Sequence, residues 1–397
     1  MSVQKKAVYA GSFDPLTNGH VDIIKQASLV FDDVTILLSV NPDKNCMFTP
    51  EERMSIINQT FGRGKVHAEI LPPGTYVADY ANRMKECVVF LVRGLGSFTD
   101  FQSEYDMSTL NNGIVPGMKT TFFMTSPESQ TARSSIVKSL VGPSGWFNVV
   151  KNKVPTATLN ALLEQKMKSE WDFLNVGAKS GWISNVDKGE YMWNSIVQMY
   201  RDRPYHNLFH LNTMFESLRL RGIEITDSLA YMIWFHDIIQ GSDDEEKVLR
   251  LFGKFVVGDE PPEVKSSEVA YQYLRLFSDS TRQHRVNPEV VSEGIRKTQY
   301  LMKHENLTDD EKLLRDADLV GFGDSWSDFS DTTDRIRKEY WTVDVEQFTR
   351  NRELFLRKFT EINNPIFNDP SFSYLEGSAH QNISQELDRL RQELNQW

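Results

Sequence analysis

The stretch Ala10–His20, with the sequence AGSFDPLTNGH, follows the apolar run Ala7–Ala10 and leads into a helical pattern that begins at His20. Glycine, proline and Asn-Gly at such a place predict a tight polar loop between a strand and a helix. Because the N-terminus of a helix attracts anions, this layout is typical of a phosphate-binding site. The stretch has neither the lysine of a P-loop nor the three-glycine spacing of a dinucleotide-binding fold. It therefore indicates nucleotide chemistry of another kind.

Short apolar runs alternate with helical patterns over residues 1–140. This alternation predicts an α/β domain in which a doubly wound parallel sheet carries helices on both faces. The loops that follow the strands then lie along one edge of the sheet, where ligands bind. The predicted strands are Ala7–Ala10, Val34–Val40, Val66–Leu71, Val88–Val92 and Thr120–Met124, and the predicted helices include His20–Phe31, Pro50–Thr60 and Thr75–Met84.

Beyond about residue 155 the strand signals fade and helical periodicity predominates, which predicts an all-α C-terminal domain. The breaker cluster Val141–Gly145 indicates a boundary. We therefore expect domains at 1–142 and 159–397, joined by a linker at 143–158. The predicted helices include Leu211–Leu220, Leu229–Ile239, Glu289–Met302 and Val345–Phe359, and a last helix whose apolar positions Ile383, Leu387, Leu390 and Leu394 pack on its own domain.

Composition narrows the class of protein. The 397 residues carry a net charge of -11, which argues against a general nucleic-acid binder because phosphate contacts need clustered lysine and arginine. A few local cations still allow small anionic substrates. The two cysteines have no metal-binding spacing, and the sequence contains neither a signal peptide nor an apolar span of membrane length. We expect a soluble cytoplasmic protein without a membrane or nucleic-acid partner.

Four segments of the N-terminal half carry groups that suit phosphate, each just after a predicted strand or at a helix start. The predicted helix that follows one of them, Asn41–Lys44, begins with a capping pattern, Thr49-Pro50-Glu51-Glu52. The segments are Ser12 with His20, then Asn41–Lys44, then Val92–Gly96, and finally Ser134 with Ser135.

These segments resemble, in order and separation, the motifs of the phosphopantetheine adenylyltransferases, which are nucleotidyltransferases with a Rossmann-like fold. The matching runs are AGSFDPLTNGH, NPDKNCMFTPEERMSII, VRGLGSFTDFQSEYDMSTLN and RSSIVKSL, and the resemblance covers about residues 5–140. It implies that 4'-phosphopantetheine attacks the α-phosphate of ATP in line, giving dephospho-CoA and pyrophosphate. Such catalysis rests on positioning and on stabilisation of phosphoryl charge.

The resemblance also implies roles for individual residues. His20 would donate to the α-phosphate, and Ser12 would orient the acceptor phosphate. Lys44 and Arg93 would bind that acceptor phosphate, and Glu104 would contact the nucleotide sugar. Mg²⁺ would share the charge of the triphosphate. Further residues expected to bind ATP or the acceptor are Gly11, Phe13, Gly19, Tyr76, Gly94, Arg133, Ser134 and Ser135.

The chain departs from the family pattern at places that bear on phosphate binding. Gly96 stands where the family usually has a second arginine, three residues after Arg93. The aromatic residue usual near Ser129 is missing, and Arg133 replaces a small polar residue. We hypothesise that Arg133 supplies the missing cation. The departures also leave room for another acceptor, such as nicotinamide mononucleotide.

Histidines and aspartates cluster in the helical half. His236-Asp237 follows the apolar run Leu229–Phe235, so a helix would bury the pair, and buried pairs of this kind are either satisfied internally or bound to metal. Imidazole together with carboxylate suits a divalent transition metal, and Mn, Fe, Co, Ni or Zn would all be accommodated. The other candidate residues are His206, His210, His304, Asp316 and Asp318.

The order of these residues resembles that of the HD-superfamily metal-dependent phosphohydrolases, from about residue 160 to near the C-terminus. The matching runs are PYHNLFHLNTMF, AYMIWFHDII, DDEE at 243–246, RDADLVGFG and AHQNISQELDRL. The resemblance implies a metal that makes hydroxide available and polarises a phosphoryl oxygen. It implies the metal ligands His210, His236, Asp237 and Asp318, a second metal or substrate phosphate at His206 and His304, and supporting or structural roles for Asp316 and Glu245.

The sequence therefore predicts a bifunctional enzyme, in which an adenylyltransferase is fused to a hydrolase of a nucleotide or another phosphorylated metabolite. One alternative keeps the transferase and changes its acceptor. Another makes the N-terminal domain a nucleotide sensor that regulates the hydrolase without turnover. Because the transferase family forms higher assemblies, a homo-oligomer is also among the expectations.

Overall fold

The computed structural model describes residues 4–40, 44–84, 87–175, 188–252, 259–277 and 286–396. The chain divides into two compact units, Met1–Leu163 and Glu164–Trp397. The division falls within helix α7, which runs from Thr156 to Leu174. The domain boundaries given by the sequence stay a prediction. Among the described helices, none is both long enough and apolar enough to cross a membrane.

The first unit contains a five-stranded parallel sheet with the order β3-β2-β1-β4-β5, which confirms the predicted α/β class. The strands are β1 (Lys5–Gly11), β2 (Asp33–Leu38), β3 (Val66–Ile70), β4 (Val88–Leu95) and β5 (Lys119–Met124). The helices are α1 (Asn18–Val30), α2 (Pro50–Phe61), α3 (Val77–Asn82), α4 (Phe98–Ile114), α5 (Ser134–Leu140) and α6 (Trp146–Val150), and α7 begins in this unit.

The strand order locates a binding crevice. Strand β1 pairs with β2 on one side and with β4 on the other, so the order of strands reverses between β1 and β4. In open α/β sheets, ligands bind at such a reversal, outside the carboxyl ends of the strands. The loop after Gly11 and the residues after Leu95 lie at this point. The sheet therefore brings the first and third predicted phosphate segments to one place.

Local signals in the sequence set the starts of α1 and α2. Thr49 caps α2 by accepting from the Glu52 N–H, and Pro50 occupies the first turn. At the start of α1 the Thr17 N–H donates to Nδ1 of His20, which stands at the position that usually carries an acidic residue. Apolar side chains from β1, β2, β4 and α3 fill one core of the sheet, namely Val8, Ala10, Leu37, Ala81 and Leu91.

The described residues of the second unit form helices and no strand, which confirms the predicted all-α class. Helix α10 (Asp227–Phe235) is buried on every side, since all residues of Leu229–Phe235 are at most 8% exposed. Ile383 and Leu390 of the last helix are buried, and that helix contacts Val345–Ile362 of its own unit, as predicted. After α7 the helices are α8 (Lys188–Tyr200), α9 (Leu208–Leu220), α10 (Asp227–Phe235), α11 (Ser242–Phe252), α12 (Pro262–Phe277), α13 (Pro288–Arg296), α14 (Asp309–Asp318), α15 (Trp326–Glu339), α16 (Val345–Ile362) and α17 (Glu376–Leu394).

Candidate functional site

The loop between β1 and α1 is anchored by a buried carboxylate. Asp14 accepts from the backbone N–H groups of Met47 and Phe48, both at 2.9 Å, and forms an ion pair with Lys138. Burial raises the pKa of Asp14, but the hydrogen bonds from Lys138 and the two amides outweigh it and hold the pKa below its usual range. Asp14 is therefore a charged anchor, joining the loop to residues near α2 and to α5.

Two hydroxyl groups tie the same loop to the segment before and within α5. Ser134 Oγ donates to the Pro15 carbonyl at 2.9 Å, and Thr17 Oγ1 donates to the Ala132 carbonyl at 2.6 Å. The approach is so close that a Cβ on Gly19 would lie 2.7 Å from the Ala132 oxygen. Only glycine fits there without a backbone shift. The position of the loop is thus fixed by tertiary contacts rather than by turn propensity alone.

His20 presents a neutral donor at the start of α1. Its Nδ1 accepts from the Thr17 N–H at 3.1 Å, so we assign the ring proton to Nε2. The ring of Phe13 packs edge-on against the imidazole, with centroids 5.1 Å apart. Burial lowers the pKa of His20 to about 4, which keeps the imidazole uncharged at neutral pH. The arrangement suits donation of the Nε2–H to an anionic oxygen.

Strand β4 brings a cation to the same edge of the sheet. Arg93 forms a half-buried ion pair with Glu104 of α4. The following residue, Gly94, allows β4 to approach α1 closely, because a Cβ there would lie 2.9 Å from Ile23 Cγ1. The structure therefore brings together the arginine and the acidic residue that the sequence assigned to neighbouring subsites.

Arg133 occupies the space in front of Gly96. Its Nη2 lies 2.9 Å from Asp100 Oδ2, and that oxygen also accepts from the Gly96 N–H at 3.2 Å. A Cβ on Gly96 would lie 3.1 Å from Arg133 Nη2 and 3.2 Å from Asp100 Oδ2. A side chain at position 96 would therefore crowd this guanidinium, which would have to shift to make room for it. Asp100 was not among the predicted site residues, and only the structure identifies it.

Other predicted residues are described without being placed in this constellation. Lys44, Tyr76 and Ser135 are exposed, and the segment 41–43 that precedes Lys44 lies outside the described residues. Gly11 and Ser12 are half-buried at the start of the loop. The roles of all five in binding stay predictions.

The N-terminal unit matches known proteins. A family described as cytidylyltransferase-like matches residues 8–140. A phosphopantetheine adenylyltransferase from Chromobacterium violaceum is 34% identical over 160 residues, which cover 40% of this chain and 96% of the relative. The chain belongs to the phosphopantetheine adenylyltransferase family. A second adenylyltransferase, from Leptospira biflexa, is 36% identical over 160 residues, or 40% of this chain and 96% of that relative.

Among solved structures, a putative nicotinate-nucleotide adenylyltransferase from Vibrio parahaemolyticus matches with a TM-score of 0.30 and 16% identity, over 40% of this chain and 99% of that one. The adenylyltransferase family itself implies ATP with Mg²⁺ and a phosphorylated acceptor as substrates.

In the helical unit, contacts of α9, α10 and α14 bring four predicted ligands together. One nitrogen or oxygen atom from each of His210, His236, Asp237 and Asp318 lies within 4.8 Å of the others. The two imidazole Nε2 atoms are 3.3 Å apart, and His210 Nε2 is 3.1 Å from Asp318 Oδ1. We call these residues the His/Asp group. Two imidazoles and two carboxylates are a donor set that a divalent transition metal accepts.

Neighbouring groups orient the His/Asp group. His236 Nδ1 lies 2.9 Å from the Ile233 carbonyl, so its proton donates there and Nε2 faces the group. Gln240 Nε2 donates to Asp237 Oδ1 at 2.7 Å, and the Tyr300 hydroxyl donates to Asp318 Oδ2 at 2.6 Å. Each carboxylate thus keeps its other oxygen for the centre. The residues fit a bound metal, and no sequence motif had pointed to Gln240 or Tyr300.

Opposite charges within the group shift the pKa values of its members. Burial lowers the pKa of His236, but Asp237 and Asp318 outweigh it and raise the pKa well above its usual value. Burial raises the pKa of Asp318, but its hydrogen bonds to His210 and His236 bring the pKa well below the usual range. The carboxylates are therefore ionised and available as ligands.

His206 adjoins the His/Asp group. Its Nδ1 lies 2.8 Å from Glu339 Oε1 at the end of α15, and its Nε2 lies 3.7 Å from Asp237 Oδ2. The other Glu339 oxygen accepts from the N–H groups of Tyr205 and His206, at 2.9 and 3.0 Å. Glu339 thus orients the imidazole toward Asp237.

Three other candidates lie elsewhere. His304 Nε2 is 3.1 Å from the Gln299 carbonyl, and the structure does not place it in the His/Asp group. Asp316 is fully buried, where it accepts from both nitrogens of Asn368, an arrangement that is structural. Glu245 pairs with Lys265 Nζ at 2.6 Å.

Proposed function

We propose that the N-terminal domain transfers the adenylyl group of ATP to 4'-phosphopantetheine and releases pyrophosphate. The observation that carries the proposal is the neutral His20 at the switch point of the sheet, whose Nδ1 accepts from the Thr17 N–H and so leaves the ring proton on Nε2. Family membership and the order of the four phosphate segments support it.

Under this proposal the residues act by positioning. His20 donates to the α-phosphate as negative charge builds up on its oxygens, and the fixed loop means that little reorganisation is needed. Ser12 orients the attacking phosphate of the acceptor. Lys44 and Arg93 bind that phosphate, while Glu104 restrains Arg93 and contacts the sugar. The rest of the rate enhancement comes from holding the two bound phosphates close together.

The test is pyrophosphate release from ATP and Mg²⁺ by the full chain, with three parallel acceptors. We expect release with 4'-phosphopantetheine and none with water alone. Release with nicotinamide mononucleotide instead would assign another acceptor. Tight ATP binding without release in any arm would overturn the proposal and favour a nucleotide sensor.

We also propose that Arg133 takes the place of the arginine that is missing at position 96. Its guanidinium already lies against the Gly96 backbone, where Asp100 holds it by two hydrogen bonds. The side chain is partly exposed and retains donors for a phosphate oxygen. A cation from the residue that precedes α5 would thus serve the triphosphate instead of one from the residue that follows β4.

Arg133→Ala is expected to lower kcat/KM for ATP by about 10- to 100-fold, the effect of losing a hydrogen bond to a charged group. The double variant Gly96→Arg with Arg133→Ala is expected to recover much of that loss, because removal of the Arg133 side chain makes room for the new arginine at position 96. Steady-state kinetics of pyrophosphate release measure both. Arg63→Ala, an exposed arginine of the same unit, is the control. Unchanged kinetics in Arg133→Ala would refute the role.

For the helical unit we propose a metal-dependent phosphohydrolase of the HD type, acting on a nucleotide or a related phosphorylated metabolite. The buried His/Asp group and its oriented carboxylates support this proposal. A metal bound there would supply a polarised water as nucleophile. His206, fixed by Glu339, would orient or protonate a substrate oxygen beside Asp237.

A further inference from the structure

Among the acidic residues at 243–246, Asp244 is the buried one, and it lies in the first turn of α11. Its Oδ2 accepts from the backbone N–H groups of Gln240 and Gly241, at 3.0 and 3.2 Å. The same oxygen lies 2.9 Å from Nη2 of Arg203. Lys247 Nζ approaches the other oxygen at 3.5 Å. Three donors on one buried oxygen make Asp244 a fixed point for the turn between α10 and α11.

Arg203 binds the same turn from the segment that precedes α9. The residue is buried, and its Nη1 donates to the Asp237 carbonyl at 2.7 Å and to the His206 carbonyl at 3.4 Å. Its Nη2 donates to the Ile238 carbonyl at 2.8 Å. Because α10 ends at Phe235, the carbonyls of Asp237 and Ile238 lie beyond the end of that helix. The guanidinium therefore supplies donors to backbone acceptors from two separate segments.

The backbone of Arg203 also contributes to the start of α9. Its carbonyl accepts from Asn207 Nδ2 at 2.9 Å. Asn207 Oδ1 in turn caps the helix by accepting from the N–H groups of Phe209 and His210, at 2.9 and 3.3 Å. The side chain and the backbone of one residue thus join the helix start that carries His210 to the turn that carries Asp237.

We propose that Arg203, fixed by Asp244, is a positioning residue for the His/Asp group, which sets where Asp237 stands relative to the start of α9. A second link runs through Gln240, whose N–H donates to Asp244 and whose side-chain amide donates to Asp237 Oδ1 at 2.7 Å. A guanidinium holds its donors in a rigid planar fork, so it fixes several acceptors at defined angles. The proposal rests on the metal site of the proposed hydrolase and assigns Arg203 no contact with metal or substrate.

The test is the affinity of the full chain for Mn²⁺, measured by electron paramagnetic resonance of the free ion. Arg203→Lys keeps the charge but loses the fork, and we expect it to raise the Kd by about 10- to 100-fold, the usual effect of removing a group that orients a metal ligand. Asp244→Asn is expected to weaken binding less, because its amide oxygen still accepts from the Gln240 N–H. The double variant should bind no more weakly than Arg203→Lys, since residues that act as one unit are not additive.

A spectroscopic readout separates positioning from general destabilisation. Co²⁺ accepts imidazole and carboxylate ligands, and its visible absorption depends on their geometry. At saturating Co²⁺ we expect the spectrum of Arg203→Lys to differ from that of the wild type, while its thermal transition without metal stays cooperative. Asp244→Asn gives the same two readouts if the lysine variant does not fold. Arg201→Lys is the matched control, because Arg201 is exposed and lies 3.7 Å from Glu164, and it should change neither the Kd nor the spectrum.

Failure of this role and failure of the hydrolase are separable. A folded Arg203→Lys with the Kd and the Co²⁺ spectrum of the wild type would overturn the positioning role and leave the hydrolase standing. If the variant loses affinity but the Mn²⁺-loaded wild type releases phosphate from no nucleotide or sugar phosphate, the hydrolase proposal fails and the positioning role stands. A wild type that binds neither ion would contradict both.

Discussion

Alanine in place of His20 is expected to lower kcat for adenylyl transfer by about 10²- to 10³-fold, which is the usual loss when one preorganised donor to developing charge is removed. The KM for ATP should change little, because the Nε2–H acts on charge that appears in the transition state. The reason lies in the Thr17 N–H, which donates to Nδ1 and so leaves the ring proton on Nε2. Rapid-quench or steady-state measurement of pyrophosphate gives kcat directly.

The pH dependence follows from the same imidazole. With its pKa lowered to about 4 by burial, His20 stays neutral at pH 6 to 8, so its titration should not appear in the rate profile there. In the unfolded chain a histidine has a pKa of about 6.5. The neutral form therefore stabilises the fold fully above that pH, and the contribution is lost as the pH falls toward about 4. Urea denaturation of His20→Ala should accordingly show less acid sensitivity over that interval.

His67 provides the control for this experiment. It is a half-exposed histidine on β3, where it contacts Asp33 at 3.2 Å, away from the β1–α1 loop. His67→Ala should leave kcat unchanged. If His20→Ala retained full activity while His67→Ala did not, the assignment of the donor would be wrong.

The fold of the N-terminal unit was predictable because each of its elements carries a local signal. The apolar runs of β1 and β2 are buried and begin and end within two residues of the predicted strands. Thr49, Pro50 and Glu52 set the start of α2 as their types predict. Where local propensity and tertiary packing agree, the sequence pattern is enough to predict the element.

Helix ends in the second unit were not predictable from periodicity. The apolar pattern predicted a helix through Ile239, but α10 ends at Phe235. Arg203 donates to the carbonyls of Asp237 and Ile238, at 2.7 and 2.8 Å. These bonds take the place of the helical ones. A side chain more than thirty positions earlier in the sequence thus decides how Asp237 is presented, and no local pattern records it.

Tertiary hydrogen bonds to backbone carbonyls also shorten α13. The predicted helix continued to Met302, whereas the structure ends it at Arg296. Asn363 donates to the Tyr300 carbonyl at 2.8 Å, and Arg315 donates to the Lys297 carbonyl. The turn that results places the Tyr300 hydroxyl on Asp318. Tertiary hydrogen bonds replace the helical ones and at the same time position a partner of the His/Asp group.

The identity of candidate ligands was predictable, whereas the groups that orient them were not. His210 and His236 lie in patterned segments, but Glu339 ends an ordinary polar helix, and its role follows from its contact with His206 alone. In the same way, Arg133 lies against Gly96, although the two residues are 37 positions apart in the sequence. Such pairs depend on how elements meet, which residue type and spacing do not encode.

Replacing His236 by alanine is expected to abolish stoichiometric binding of Mn²⁺ or Zn²⁺ by the full chain, together with any metal-dependent phosphate release. The variant removes one of two imidazoles from a buried four-ligand set and leaves two carboxylates close together without a cation. Metal content after dialysis, measured by atomic emission, checks the first effect. Phosphate release from a panel of nucleoside monophosphates and sugar phosphates checks the second.

Two further variants separate loss of a ligand from loss of the fold. Asp318→Asn is nearly isosteric and should also lose the metal while its thermal transition remains cooperative. Tyr300→Phe removes the partner of Asp318 Oδ2 and should weaken metal binding by about 10- to 100-fold without abolishing it. His304→Ala, which the structure places at the Gln299 carbonyl, should retain the metal. Full metal content in both His236→Ala and Asp318→Asn would mean that the ion is held elsewhere, because a set that keeps its affinity after losing either an imidazole or a carboxylate is not the set that binds it.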